Sequence, residues 1–380
     1  MKLLGMLPSW LLFCGFSCRS FAYEDLHLYL EGELSSLQAA NHRKVDFGES
    51  HVEYHEKTVA GRINTRGQHC LKAERKCFGV SLSDELPDLG RHFNLASLSG
   101  DHGYINYVLG LKFMEKIGLN GLKHRYVHLH INGQSSGLYL LLDEPKNALI
   151  TGKKAEFIGR RQHWPKKSKL VYSDPQASIN GESYLKTFEM IVKASAKLHG
   201  QHKFLYLQQS MDFTSYIDWL ATNSLLQNGD YDDELFFYVS KADAAQGHRY
   251  FRFMGWDYED LFSKPHVINR IVHPFQIKKT MLHSLVQKID YAIYRDSYLY
   301  SFFKERLRYL TNTVFNEAAV AAIFAELLDE ISPFLHDEVL SSSRHDQAAQ
   351  GVYTSGYITQ LANSRYQQLM ERSHYLANSH

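Results

Sequence analysis

Short segments in which apolar and polar residues alternate dominate the chain between residues 45 and 142. A period of two is typical of strands with one buried face, so we predict strands at 51–55, 61–66, 76–82, 126–130 and 137–142. Asn132-Gly133 and Ser136-Gly137 lie between the last two segments and predict a hairpin. One helical pattern, 105–117, interrupts the strands and ends at Gly118.

The second half of the chain changes to a helical period. Helical patterns cover 184–197, 213–226, 280–310, 315–342 and 358–376. Two strand-like runs, 235–239 and 250–254, stand between the second and the third of these helices. This order of elements predicts a mixed α+β fold, without an internal repeat or a low-complexity linker.

A basic segment, 151–170, separates the two halves and is predicted to be a loop. Its cations are Lys153, Lys154, Arg160, Arg161, Lys166, Lys167 and Lys169. The segment is either a solvated surface loop or an edge that binds phosphate or an acidic substrate.

The overall charge argues against a polyanionic partner. Of the 380 residues, 42 are Lys or Arg and 41 are Asp or Glu, so no global field attracts nucleic acid or an anionic membrane. We therefore expect no nucleic-acid partner.

The first 22 residues predict a secretory signal peptide. Lys2 precedes an apolar run, 3–16, and the small residues of a cleavage site follow and end at Ala22. We therefore expect an exported protein that is periplasmic, extracellular or attached to the cell surface. The apolar run is too short for a membrane span, and we expect no transmembrane span in the mature chain.

The cysteines leave two questions open. The stretch 15–18 also resembles a lipoprotein cleavage box, an alternative in which Cys18 carries a lipid anchor. Cleavage after Ala22 would leave Cys70 and Cys77, which either pair or remain two partly buried thiols.

Two acidic clusters adjoin the strands of the second half. The first spans 228–234 and follows the predicted helix 213–226, and the second spans 256–260 and follows a strand. Carboxylates from two turns can hold Mg²⁺ between phosphate oxygens, and another carboxylate can take the proton of an attacking hydroxyl. The alternative is two acidic turns on the surface of a helical domain.

Other catalytic signatures are absent from the sequence. It contains no phosphate loop of the GxxxxGK[ST] type, no GxGxxG, no GxSxG elbow and no HExxH run. His128 and His130 share one face of a predicted strand and could share a metal, but an ordinary strand face is the simpler interpretation.

Several segments, in chain order, resemble the CotH kinase family (spore coat protein H). The most specific are the helix 216–226 with Asn228-Gly229-Asp230 after it, and the strand that ends in Trp256-Asp257-Tyr258-Glu259. The other matching segments are Arg66-Gly67, Arg75-Lys76-Cys77-Phe78, 93–101, Gly118, Asn132-Gly133, Gly137-Leu138-Tyr139, Asp143-Glu144 and the helix around Arg365. Together they cover roughly residues 45–375.

This resemblance implies a two-lobed atypical protein-kinase-like fold. The N-lobe would be an antiparallel sheet at 23–150, and the basic loop with a mainly helical C-lobe would follow at 151–380. The implied cofactors are ATP and Mg²⁺, with Mn²⁺ as the alternative metal. The implied partner is a protein that accepts phosphate on Ser or Thr.

The resemblance also assigns roles to catalytic and metal-binding residues. Asp230 would be the catalytic carboxylate beside the accepting hydroxyl, and Asp257 would bind Mg²⁺. Glu259 replaces the second Asp of the family's metal motif, and Glu234 stands where the family commonly has an Asn. Both keep oxygen ligands at these positions.

The nucleotide-binding residues implied by the resemblance lie in the N-terminal half. They are Lys76, Arg75, Asp143 and Glu144. Lys76 would contact phosphate as a point charge, and Asp143 or Glu144 would orient it.

The departures from the family pattern leave a second function open. Besides those at positions 234 and 259, Asn106 stands where the family has an Arg. The alternative is a catalytically weak or inactive pseudokinase that binds a surface or matrix partner. A carbohydrate-associated role, indicated only by aromatic content, ranks below both.

Overall fold

The computed structural model describes residues 24–31, 43–101, 103–119, 121–162, 168–263, 281–282, 287–336, 339–340 and 354–378. The expected signal peptide 1–22, with Cys18, and Lys166 and Lys167 of the basic segment lie outside the described residues.

The chain divides into two compact units, each assembled from three stretches of sequence. Unit 1 comprises Met1–Val108, Leu122–Glu144 and Phe324–Ser364, and unit 2 comprises Leu109–Gly121, Pro145–Ile323 and Arg365–His380.

The described residues form strands and helices in alternation. The strands are β1 (Asp25–Tyr29), β2 (Asp46–Tyr54), β3 (Lys57–Arg66), β4 (Cys77–Leu86), β5 (Gly90–Ala96), β6 (His124–Ile131), β7 (Gln134–Asp143), β8 (Ala155–Arg161), β9 (Ser168–Ser173), β10 (Leu235–Ser240) and β11 (Arg252–Gly255). The helices are α1 (Gln68–Lys72), α2 (Asn106–Lys116), α3 (Pro145–Gly152), α4 (Gly181–Ser195), α5 (Gly200–Ser210), α6 (Phe213–Leu226), α7 (Lys241–Ala245), α8 (Lys288–Arg295), α9 (Ser297–Thr313), α10 (Glu317–Ile331) and α11 (Ser355–Ala377). Short 3-10 turns occupy Tyr231–Asp233 and Ser332–Phe334.

Unit 1 is built on a closed barrel of seven strands in the order β1-β2-β3-β4-β5-β7-β6. Neighbouring strands are antiparallel except β1 and β6, which run parallel and close the barrel. Every second residue faces inward, so that Leu28, Ile63, Phe93 and Leu129 lie in one buried core. The predicted α+β class is confirmed, and the closed barrel goes beyond the antiparallel sheet that the sequence predicted.

The hairpin between β6 and β7 is confirmed at Asn132-Gly133, where both residues have positive φ angles of 50° and 79°. Ser136-Gly137 was wrongly placed in the turn. These residues lie within β7, where Leu129 pairs with Gly137 and His130 with Ser135, which leaves one extra residue as a bulge.

Cys70 and Cys77 form a disulfide, with Cα atoms 5.5 Å apart. Of the two alternatives for these thiols, pairing is the one that the structure has. The bond joins α1 to the first residue of β4.

Unit 2 contains a four-stranded antiparallel sheet in the order β11-β10-β8-β9. The loop prediction for 151–170 is wrong over the described residues, because β8 and the start of β9 lie there. Phe157 and Ile158 of β8 are fully buried. Because β8 ends in Arg160 and Arg161, its sequence is typical of a solvated segment.

The helices of unit 2 largely follow the predicted pattern. α6 has the predicted bounds, and α4 begins three residues before its predicted start. The predicted helix 280–310 is divided, because Asp296 ends α8 and caps α9 through hydrogen bonds from the backbone N–H groups of Tyr298 and Leu299. In the parts of the chain that the structure describes, no helix is long and apolar enough to cross a membrane.

Candidate active site

The first acidic turn begins where α6 ends. Nearly the whole of α6 is buried, and its C-terminal cap is Gln227 in the left-handed conformation at φ 50°. Asn228, also buried, donates from Nδ2 to Asn223 Oδ1 at 3.0 Å, and its Oδ1 accepts from the Asp230 backbone N–H at 3.1 Å. The side chain of Asn228 therefore fixes the backbone that carries the partly exposed Asp230.

The second acidic turn follows β11 and runs back along the first. Leu235 of β10 pairs with Gly255 of β11, and the Trp256 N–H donates to the Glu234 carbonyl at 3.3 Å. The Gly229 N–H donates to the Asp260 carbonyl at 2.9 Å. Strand register therefore places the two acidic clusters side by side, although more than twenty residues separate them in sequence.

A group of carboxylates forms where the two turns meet. Asp230, Asp233 and Glu234 each offer an oxygen, and these oxygens all lie within 4.8 Å of one another. Glu234 is buried, whereas Asp230 and Asp233 are partly exposed. We call these three residues with Asp257 the carboxylate cluster.

The electrostatics of the cluster favour a cation. Burial raises the pKa of Glu234 well above its usual range, and the carboxylate of Asp257 raises this pKa further. Arg160 of β8 opposes the effect, with Nη2 3.3 Å from Glu234 Oε2 and 3.7 Å from Asp233 Oδ2. Arg160 contacts Asp233 and Glu234, and a divalent cation would relieve repulsion between the acids of the cluster.

A buried polar network lies behind the first acidic turn. Asp290 of α8 is fully buried and forms an ion pair of 3.0 Å with Arg161. It also accepts hydrogen bonds from Tyr216 of α6 and, at 3.2 Å, from Tyr231, the residue after Asp230. Burial alone would lower the pKa of Arg161, but Asp290, together with smaller contributions from Tyr216, Tyr231 and Asp232, outweighs this effect and the pKa is raised.

Three of the four predicted catalytic and metal residues, Asp230, Glu234 and Asp257, thus lie in one place. Asp230 and Glu234 belong to the carboxylate cluster, and Asp257 acts on Glu234 electrostatically. Glu259 lies two residues further along the second turn and is partly buried.

The predicted nucleotide-binding residues belong to unit 1. Arg75 donates to the carbonyls of Ser136 and Leu138 and stacks over the Tyr139 ring. These contacts anchor Arg75 to the backbone of β7.

Lys76, Asp143 and Glu144 also lie in unit 1. Lys76 is 6% exposed, and its ammonium group donates to the carbonyls of Leu71 and Ala73. Asp143 Oδ2 accepts from the Lys123 N–H at 3.1 Å, and burial raises the pKa of Asp143. The Glu144 N–H donates to the His92 carbonyl. Orientation of Lys76 by Asp143 or Glu144 stays a prediction.

Three elements of the site were missed by sequence reasoning. Asn228 was noted in the acidic cluster and in the family motif but was given no role, and Arg160 was noted only as part of a basic loop. Strand alternation within β8, which directs Arg160 to the cluster and Arg161 to Asp290, would have been a usable signal. The role of Asp290 had no local signal, because its partner Arg161 is 129 positions away.

The carboxylates and the α+β scaffold together define a protein with a candidate site for a divalent cation. A family model described as CotH kinase protein matches residues 63–369 of the chain. The chain therefore belongs to the CotH kinase family, and the resemblance noted in the sequence is confirmed. It is a kinase-like protein.

Other comparisons give weaker likenesses. The structure of the proinflammatory kinase CtkA of Helicobacter pylori has 10% identity and a TM-score of 0.30, over 79% of this chain and 94% of its own. A HipA–HipB toxin–antitoxin complex with operator DNA from Shewanella oneidensis MR-1 has 10% identity and a TM-score of 0.29, over 89% of this chain and 66% of its own. A comparison with curated protein sequences finds no match.

Proposed function

We propose that this chain is an exported kinase that uses ATP and Mg²⁺ to phosphorylate Ser or Thr hydroxyls of an extracytoplasmic protein. Membership of the CotH kinase family supports the kinase class. The observation that carries the proposal is the carboxylate cluster, in which Asp230 and Glu234 lie together with Asp233 at the junction of two turns.

The donor set of the cluster fits Mg²⁺. Asp233, Glu234 and Asp257 supply only carboxylate oxygens, the ligand type that Mg²⁺ prefers, and Mn²⁺ accepts the same ligands. Bound Mg²⁺ would neutralise negative charge on the transferring phosphoryl group. Burial of Glu234 beside other acids supports the same assignment, because a cation would offset the cost of its charge.

Asp230 is proposed to act on the acceptor. The hydroxyl oxygen of Ser or Thr forms a bond to the γ-phosphorus while the bond from that phosphorus to the β,γ-bridging oxygen breaks. ADP leaves, and the hydroxyl proton passes to the Asp230 carboxylate. Its backbone hydrogen bond to Asn228 would hold Asp230 in place for this role.

Lys76 is proposed to contact the phosphates of ATP. This proposal rests on family resemblance, because the ammonium group of Lys76 is buried against the carbonyls of Leu71 and Ala73. The ammonium group has three N–H donors and two of them are used here, so contact with a phosphate would use the third donor or exchange one of these hydrogen bonds.

Export is supported by two features of the chain. The first 22 residues have the pattern of a signal peptide. The disulfide between Cys70 and Cys77 is of a kind that persists in oxidising compartments.

A pseudokinase that binds a surface partner is the second candidate. Arg160 favours it, because its guanidinium lies 3.3 Å from Glu234 and competes with a metal ion for the same carboxylate. In this case the carboxylate cluster would be a structural ion-pair site.

A transfer assay tests the proposal. Purified protein is incubated with ATP labelled at the γ-phosphate, Mg²⁺ or Mn²⁺, and a Ser/Thr-rich acceptor. We expect the parent to transfer label and Asp230→Asn to transfer about 10²- to 10⁴-fold less, the usual contribution of a general base. ATP affinity should change little, because the lost interaction belongs to the transition state.

The control is Asp329→Asn, an exposed acid on α10 that lies outside the carboxylate cluster. It should transfer label like the parent. A parent that binds ATP but transfers no label with either metal would establish the pseudokinase. Equal transfer by parent and Asp230→Asn would support kinase activity but would contradict the catalytic role of Asp230.

A further inference from the structure

A second group of metal-ligand side chains lies on the barrel of unit 1, where β1 and β6 run parallel. In this register Asp25 is opposite His128, and His27 is opposite His130. The alternate residues of these two strands, among them Leu26 and Leu129, belong to the barrel core. The four polar side chains therefore lie together on the outer face.

Two of the three spacings between ligand atoms in this group match those around a bound metal ion. Asp25 Oδ1 lies 3.1 Å from His128 Nδ1 and 3.0 Å from His130 Nε2. One ligand atom from each of the three residues lies within 4.8 Å of the other two. An ion bound at about 2.0 to 2.1 Å separates adjacent ligand atoms by about 2.8 to 3.0 Å in octahedral geometry and by about 3.3 to 3.4 Å in tetrahedral geometry.

The surroundings of His128 and His130 fix both rings. His128 Nε2 lies 2.6 Å from Ser135 Oγ, so a proton on Nε2 can be donated to the hydroxyl while Nδ1 offers its lone pair to a metal. The His27 ring stacks on His130 with centroids 4.5 Å apart and 17° between the planes. A ligand whose second nitrogen is hydrogen-bonded and whose ring is held is typical of metal-binding histidines.

Access and burial are also consistent with a site. The His128 side chain is 1% exposed, whereas that of Asp25 is 42% exposed. An ion could therefore enter from solvent beside Asp25 and rest against a buried imidazole.

We propose that Asp25, His128 and His130 bind a late first-row divalent cation, with Zn²⁺ as the ion of choice, and that water completes its coordination. Two imidazole nitrogens favour Zn²⁺ over Mg²⁺, which prefers oxygen. The site is separate from the carboxylate cluster and does not depend on kinase activity. Because β1 and β6 are the parallel pair that closes the barrel, the ion would link the first described strand to the rest of unit 1.

The probe is Co²⁺, whose visible absorption reports nitrogen and oxygen coordination, followed by displacement with Zn²⁺. Protein without a histidine tag is titrated with Co²⁺, and its melting temperature is recorded with and without Zn²⁺. We expect one equivalent of Co²⁺ to give a visible band that Zn²⁺ abolishes, and Zn²⁺ to raise the melting temperature.

Two ligand variants and two controls locate the ion. His130→Gln and Asp25→Asn avoid the buried His128, and circular dichroism checks that both are folded. Each should weaken Zn²⁺ binding more than about tenfold, since even the loss of an outer-shell partner typically costs 10- to 100-fold. His51→Gln, an exposed histidine on β2, should bind Zn²⁺ like the parent, and Asp257→Asn tests whether the carboxylate cluster holds the ion instead.

Several results would overturn the proposal. A parent without a Co²⁺ band and without a Zn²⁺-dependent rise in melting temperature would mean that both imidazoles only donate hydrogen bonds to Asp25. Unchanged binding in folded His130→Gln and Asp25→Asn would also contradict it. Loss of the band in Asp257→Asn alone would assign the ion to the carboxylate cluster.

Discussion

Asp257 combines an uncommon backbone conformation with an electrostatic role. Its φ angle is 53°, in the left-handed region that few residues other than glycine adopt and that Asp and Asn tolerate best. Its carboxylate raises the pKa of Glu234. Such conformations often mark functional positions, where the surrounding structure maintains them.

Replacement of Asp257 by Asn tests its role as a metal ligand. Asn tolerates the same backbone conformation and keeps the side-chain shape, so the fold and the melting temperature should be largely retained. Removal of the charge should abolish Mg²⁺-dependent nucleotide binding, measured by calorimetry with ATP and Mg²⁺. If the variant binds ATP with Mg²⁺ as tightly as the parent, Asp257 does not hold the metal.

Gly110 of α2 allows the second acidic turn to pack closely. A Cβ atom at this position would overlap the ring of Tyr258, which is fully buried. In the sequence, Tyr258 stands between Asp257 and Glu259. Glycine is otherwise unfavourable in a helix by about 1 kcal/mol relative to alanine. The close contact with Tyr258 explains why the helix carries glycine here.

Gly110→Ala should therefore destabilise unit 2 despite its better helix propensity. Overpacking typically costs about 1 to 3 kcal/mol, and the shift of Tyr258 should also weaken Mg²⁺-dependent nucleotide binding. The matched control is Gly152→Ala at the end of α3, where an added Cβ meets no atom within 4 Å. In urea unfolding, Gly110→Ala should have a lower free energy of unfolding than the parent, and Gly152→Ala should be close to the parent. The opposite order would show that Tyr258 can move without a loss of stability.

At the scale of elements, the Asp290 network joins four parts of unit 2. It connects β8 through Arg161, α6 through Tyr216, the first acidic turn through Tyr231, and α8 through Asp290 itself. Both charged side chains are at most 3% exposed. A buried ion pair adds little net stability, but its loss leaves a charge without compensation.

We expect Asp290→Asn to cost about 3 to 5 kcal/mol, because the Arg161 charge would stay buried without its partner. The control is Asp218→Asn. The side chain of its partner Arg306 is 23% exposed, so its charge can be hydrated when the partner is lost. Urea midpoints of both variants give the comparison. A loss of less than about 1 kcal/mol for Asp290→Asn, or an equal loss for both, would refute the structural role of the network.

The elements that sequence predicted are those with a strong local signal. The bounds of α6 follow from a long apolar run capped by Asp212, and β2, β3, β4, β6 and β7 follow from alternation. β1 was missed because its alternation covers only Leu26 and Leu28. It is completed by pairing with β6, about one hundred residues away.

The candidate site was predicted in part for the same reason. Asp230, Glu234 and Asp257 were identified from two acidic clusters and a family pattern, but their proximity depends on the register of Leu235 with Gly255. Arg160 and Asp290 have partners that no local pattern reveals. Long-range pairing therefore decides both the parts of the fold and the parts of the site that sequence reasoning missed.

At the scale of the whole molecule, charge is nearly balanced while its distribution is not. The chain carries a formal net charge of +1, yet the carboxylate cluster brings four acids together. An overall field would not attract a charged partner, so any attraction for cations is local and only weakly screened where Glu234 is buried.

The disulfide between Cys70 and Cys77 links stability to the compartment in which the protein folds. The cysteines are seven positions apart, and closing a loop of this size stabilises a fold by about 2 to 3 kcal/mol in the chain-entropy account. Both cysteines are buried near Ser97, whose N–H lies 3.3 Å from the Cys77 sulfur. A reduced chain should therefore keep the fold with lower stability.

We expect exported protein to carry the oxidised pair and to lose about 2 to 3 kcal/mol of unfolding free energy on reduction. The double variant Cys70→Ser, Cys77→Ser should match the reduced parent and should not respond to reductant, which separates loss of the bond from other effects of the reductant. The measurements are urea unfolding with and without reductant, and mass spectrometry of exported protein after thiol blocking. The same spectra give the first residue of the mature chain, expected near Tyr23 or at lipidated Cys18. Two results would contradict this expectation: both cysteines of the exported protein react with the thiol-blocking reagent, or reduction leaves the free energy of unfolding unchanged. The disulfide would then not support folding in an oxidising compartment, and the N-terminal pattern alone would support export.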